Sequence, residues 1–237
     1  MIRALVLALA IQTNPAAADT TQAMRTALEL AAGKDWDGAL AVAPAGVGRD
    51  VVQWQRLRAG EGRLGEYEEF LARRPDWPGL PLLREKGEEA VARSDDPARV
   101  IAWFAAGLPE TGAGALAYVR ALQAAGRMAD AETEAMRAWA ELSFTPEEEA
   151  ALIALAPEAV GFVHELRLDT LLWSGRTGEA NRMLARLPED LRAVARARIA
   201  LQDDEKGVTA LIGAVPKSRA GDAGLAFDRF IWRMKRD

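Results

Sequence analysis

A five-residue pattern, Gly-[Lys/Arg]-x-x-[Asp/Glu], recurs four times in this chain: Gly33 to Asp37, Gly62 to Glu66, Gly126 to Asp130 and Gly175 to Glu179. An alanine-rich or amphipathic stretch precedes each copy and another follows it. Glycine readily takes the left-handed conformation that ends a helix, and an acid in the first turn of the next helix is favoured by the helix dipole. The pattern therefore predicts helix-turn-helix corners. Between the corners apolar residues recur at helical spacing: Met24, Ala27, Leu28 and Ala31 share one face, as do Val100, Trp103 and Phe104, whereas runs of strict alternation are missing. The expected fold is all-α, an irregular superhelix of about a dozen short helices stacked as antiparallel pairs. The corner glycines lie 29, 64 and 49 residues apart, so the array is not a regular repeat.

Start signals agree with this reading. Asp96-Pro97 offers an N-cap followed by proline at the first helical position, and Thr145-Pro146-Glu147-Glu148 reads as a capping box with the same proline placement. Arg74-Pro75-Asp76-Trp77-Pro78-Gly79 is too rich in proline to continue a helix, so it predicts a corner stiffened by Pro75 and Pro78 and filled by Trp77.

Residues 1–18 have the order of a secretory leader: Arg3, a short apolar run from Ala4 to Ile11, a break at Asn14-Pro15 and the small residues Ala16 to Ala18. Cleavage is expected before Asp19, leaving 19–237 as one α-helical domain with no membrane attachment. There is no cysteine, which removes disulfides and thiolate metal sites and suits a bacterial periplasmic protein. The formal charge of −5, one unit more negative without Arg3, is spread over both signs with no basic stripe, and this argues against nucleic acid as a partner.

Residues able to do chemistry are few. His164 is the only histidine, so neither a usual zinc site nor a Ser-His-Asp arrangement is available and a structural or surface role is expected. No phosphate-binding glycine loop or G-x-S-x-G occurs, and no metal, cofactor or catalytic residue is assigned. Glu147, Glu148 and Glu149 open a helix, where acids stabilise the terminus for ordinary reasons; Glu68, Glu69, Glu88 and Glu89 read as solvated surface. Of the seven tryptophans, Trp54, Trp103, Trp139 and Trp173 lie in amphipathic patterns and are expected in helix contacts. Trp77, between two prolines, is the candidate for exposure and for stacking on a sugar ring.

Several segments together resemble one family: W-x-x-L-R at Trp54 to Arg58, F-L-x-x-x-P-x-W-P at Phe70 to Pro78, Trp103-Phe104, L-W-x-G-R-x-x-E-A at Leu172 to Ala180, and D-R-F-x-W-R at Asp228 to Arg233. Their order is similar to the N-terminal superhelical region of soluble lytic murein transglycosylases, in the alphaproteobacterial form. The resemblance runs from about Gly33 to Asp237. It implies a periplasmic chain that holds peptidoglycan glycan strands, in a family that cleaves between N-acetylmuramic acid and N-acetylglucosamine to leave 1,6-anhydro ends. Other cell-wall proteins are the further partners it suggests. The family's catalytic glutamate, usually followed by serine in a lysozyme-like domain, has no counterpart in this sequence. No catalytic residue is carried over, and the chain is expected to be a truncated or fragmentary member, inactive alone. The alternative is a stand-alone periplasmic helical-repeat adaptor for protein partners.

Overall fold

The structure, a computed structural model, describes residues 15–236, with side chains from Asp19 onward. The leader and cleavage site expected within 1–18 lie outside the residues whose side chains are described. The fold is all-α: fifteen α-helices, with no strand among the described residues. The chain divides into two compact units, 1–90 and 91–237.

In the first unit α1 (Pro15–Ala32) packs on α2 (Trp36–Val42) and α3 (Val47–Arg58), and α3 packs on α4 (Leu64–Arg73). Ala27, Ala31, Ala39 and Val52 form the core of the α1–α3 contact, with Trp36 and Leu40 against them. Alanines at this contact let the helix axes come close. Leu28, expected on the inner face, is 38% exposed, because the side of α1 turned to its neighbours centres on Ala27, Leu30 and Ala31. Beyond α4 the proline-rich turn leads into α5 (Leu80–Val91), in which Glu88 is buried and not solvated as expected.

The second unit continues with α6 (Pro97–Trp103), α7 (Gly112–Ala124), α8 (Met128–Glu141), α9 (Pro146–Leu155), α10 (Pro157–Phe162) and α11 (His164–Trp173). It is completed by α12 (Thr177–Met183), α13 (Glu189–Gln202), α14 (Val208–Gly213) and α15 (Ala223–Met234). The main packings join elements close in chain order: α6 with α7, α7 with α8 and α9, α8 with α10 and α11, α11 with α12 and α13, and α13 with α14 and α15. The pairs α7/α8 and α11/α12 are each joined by a short turn and packed along one another, so they run in opposite directions. Ala131, Ala135 and Ala138 line the buried side of α8, and Trp139 and Leu171 fill the wider spaces between helices.

Both start signals are realised. The Asp96 carboxylate accepts from the Ala98 and Arg99 amides ahead of α6, and Thr145 and Glu148 exchange capping bonds ahead of α9. All four patterned corners fall between helices, and the acid lies in the first turn of the following helix each time. Each corner closes with the same backbone bond, from an amide to the carbonyl five residues earlier: Asp35 to Leu30, Glu61 to Arg56, Arg127 to Leu122 and Arg176 to Leu171. The left-handed residue is Gly126 (φ 73°) and Gly175 (φ 69°), as expected, but in the other two corners it is Lys34 (φ 62°) and Gly60 (φ 81°). Gly62 is needed for a different reason: a Cβ there would run into the Leu57 side chain and the Tyr67 ring.

Candidate functional site

Trp77, the one tryptophan singled out by sequence for a glycan, sits in the α4–α5 turn half-buried, its ring edge-on to Phe70 with centroids 5.7 Å apart. The turn is anchored by charge as well as by proline. Arg73 and Arg74 both pair with the buried Asp50 of α3, and the Trp54 indole donates to the Pro78 carbonyl at 3.1 Å. Burial raises the Asp50 carboxyl, but the hydrogen bonds and charges of the two arginines outweigh it and hold the group below its ordinary value. Pro75 and Pro78 told of the turn; nothing local in the sequence told of Asp50, which lies 23 residues from Arg73.

In the second unit the acids at the start of α9 separate by role. Glu147 is exposed, Glu148 caps, and Glu149 turns inward to bond Arg167 (3.0 Å) and Arg182 (2.9 Å). Arg167 is fully buried. Its Nη1 donates to the carbonyls of Trp139 (2.6 Å) and Leu142 (3.0 Å), and its Nη2 to Glu149 and Glu179, both at 3.0 Å. The guanidinium lies 4.2 Å from the centroid of the Trp139 ring. The Trp139 indole in turn donates to Nδ1 of His164 at 3.1 Å, which gives the only histidine its structural role.

A second buried arginine organises the end of the unit. Arg198 of α13 donates through Nε to Asp228 of α15 (2.7 Å) and through Nη1 to Asp169 of α11 (3.3 Å). The Gln202 amide nitrogen bridges the Leu172 carbonyl (2.9 Å) and Asp228 (3.0 Å), so three helices meet at one ion pair. Its oxygen, and Nη2 of Arg198, are buried with no hydrogen-bond partner among the described residues. Gly224 lets α15 approach, since a Cβ there would collide with the Arg198 guanidinium.

A cleft lies on each side of this junction. One, of about 340 Å³, has an aliphatic floor that includes Leu168, Leu191 and Val194, with Asp169 and Arg198 at its edge. The other, of about 290 Å³, is lined by Trp173 and Phe227 together with polar groups that include Gln202 and Asp203. Trp173, expected in a helix contact, is 51% exposed, because α11 ends there and turns its ring outward onto Phe227. Trp103 and Trp139 are buried as expected, and Trp54 is half-buried. Among the described residues no group of three or more histidines and acids is placed to hold a metal ion, and no helix is long and apolar enough to cross a membrane. Comparison with known protein families, with curated proteins and with solved structures yields no match.

Proposed function

We propose that this chain is the non-catalytic, glycan-holding helical portion of a periplasmic peptidoglycan-remodelling protein of the lytic transglycosylase type. The observation that carries this reading is the neighbour-to-neighbour packing of the second unit, with one corner chemistry repeated at its turns. Helical arrays of this kind work by presenting an extended binding surface, and a superhelical stack is part of the proposal. Four of the side chains that could do chemistry are engaged in structure: His164 receives the Trp139 indole, and Glu149, Glu179 and Asp228 are held by arginines.

Sedimentation with purified sacculi tests the reading. The chain is expected to co-sediment and to release no anhydro-muropeptides; a chain that stays in the supernatant over intact sacculi contradicts it. A protein-binding adaptor is the second reading, favoured by the outer face of α15, where Phe230 and Met234 are 58% and 61% exposed. It would show as partner capture unaffected by added glycan.

A further inference from the structure

We infer that the cleft beside Trp173 and Phe227 is a carbohydrate-binding site, an assignment that rests on the glycan-holding reading and goes beyond it by naming where the sugar sits. Two aromatic rings stand side by side at its rim, centroids 5.3 Å apart and tilted by 43°, and about half of each residue is open to water (51% and 47%). Leaving that much ring surface wet forgoes the gain from burying it, at roughly 25 cal/mol per Å². The adjoining core shows the alternative, since Trp139 is wholly buried.

The ledge is rigid. Trp173 is the last residue of α11 and lies over the Arg198 guanidinium at 5.1 Å, while Phe227 is carried by α15. The Arg198–Asp228 pair ties α13 to α15, and the Gln202 amide ties both to the Leu172 carbonyl, next to Trp173. Rings fixed before a ligand arrives lose little freedom when it binds.

The lining selects among ligands. Both amide hydrogens of Gln202 are spent on Leu172 and Asp228 and its oxygen is sealed from water, so this side chain braces the cleft and leaves the reading of a ligand to its open neighbours. Thr177 brings a hydroxyl, Asp203 and Lys235 bring charges of opposite sign, and the charge of Asp228, which also lines the cleft, is met by Arg198. A flat apolar face beside donors and acceptors of balanced charge matches a pyranose, which presents C–H groups on one face and hydroxyls around its edge. A wholly apolar peptide face would cover the Asp203 carboxylate and the Thr177 hydroxyl without giving them partners. A strongly charged ligand would find no matching excess of charge.

The test uses the full chain with purified sacculi and, separately, a soluble N-acetylglucosamine oligomer followed by calorimetry. Trp173→Ala and Phe227→Ala are each expected to weaken binding about tenfold or more, with Phe162→Ala, which removes an exposed ring outside the cleft, unchanged. Trp173→Phe, which keeps an aromatic face, should recover part of the loss, and thermal unfolding of each variant separates lost contact from lost fold. Wild-type binding that survives both alanine variants overturns the site and leaves the glycan-holding reading standing. Failure of the wild type to bind either probe overturns the reading itself and the site with it.

Discussion

Arg167 and Arg198 are built alike and end differently. Each is a buried arginine that reaches carboxylates on neighbouring helices and lies over a tryptophan ring, and α11 takes part in both junctions. Around Arg167 the acceptors are inside the protein, and the roof, Trp139, is wholly buried with Phe144 against it. Around Arg198 one acid, Asp169, has a side chain 58% exposed, the roof Trp173 is half in water, and a cleft opens on either side. The same components thus make a lock in one place and the supporting floor of a recessed surface in the other. What decides between them is whether another layer of side chains covers the tryptophan.

The largest expected effect tests the lock. Trp139→Ala should cost about 3–5 kcal/mol of unfolding free energy, because a buried ring, its indole hydrogen bond and its contact with Arg167 go together. Trp173→Ala removes a half-exposed ring and should cost less than about 1 kcal/mol. Urea unfolding of the two variants measures the contrast directly. Equal shifts in midpoint would mean that Trp173 is a packing residue and that the two junctions do not differ as described.

A smaller effect separates the arginines themselves. Arg167→Met strands part of the charge on Glu149 and Glu179 and should cost about 3–5 kcal/mol, as for other broken buried pairs. Arg198→Met should cost less than half as much, since Asp169 can turn to water and Asp228 keeps Gln202. Gly224→Ala adds a methyl where the Arg198 guanidinium lies, for about 1–3 kcal/mol. In the double variant Arg198→Ala, Gly224→Ala the clash has nothing left to clash with, so the combined cost should fall well short of the sum. Strict additivity would show that Gly224 serves some other contact.

The lock was only partly legible in the sequence. Helix positions and ends were, because caps and corners are local: Asp96 and Thr145 cap within three residues, and the corner acids Glu66 and Asp130 each accept a bond from the residue three before them. The two misplaced left-handed residues, Lys34 and Gly60, show the limit even there, since a closing bond can shift by a residue or two along a turn without changing which helices it joins. The clefts and junctions were not legible. Trp139 and Trp173 both sit on amphipathic helices, and periodicity tells which face a ring is on, not whether another helix arrives to cover it. Glu149 reads as one of three acids that stabilise a helix start, and nothing local marks Arg167; they meet 18 residues apart only after α9 and α11 have packed. The exposed ledge is not legible for the same reason, whereas Trp77 stands out because two flanking prolines are a local signal.

The smallest effect concerns the histidine that props Trp139. Burial lowers the His164 pKa from its ordinary value near 6.5, the positive charges of Arg186 and Arg167 lower it further, and the Val160 carbonyl opposes them. The folded pKa therefore lies below the unfolded one. Between the two values the unfolded chain holds more protons than the folded one, so stability rises with pH. The contribution is complete above about 6.5 and is lost as pH falls through the folded value. The structural event is plain: a proton on Nδ1 removes the acceptor that the Trp139 indole uses, and it adds a third positive charge beside two arginines. His164→Gln keeps an oxygen for the indole but does not titrate. The difference in unfolding free energy between wild type and this variant, followed from about pH 8 to about pH 5, cancels the titration of carboxylates common to both. Wild type should lose ground to the variant as the solution is acidified. A difference that stays flat would mean that the imidazole titrates alike in both states, and the Trp139 roof would then be held without its help.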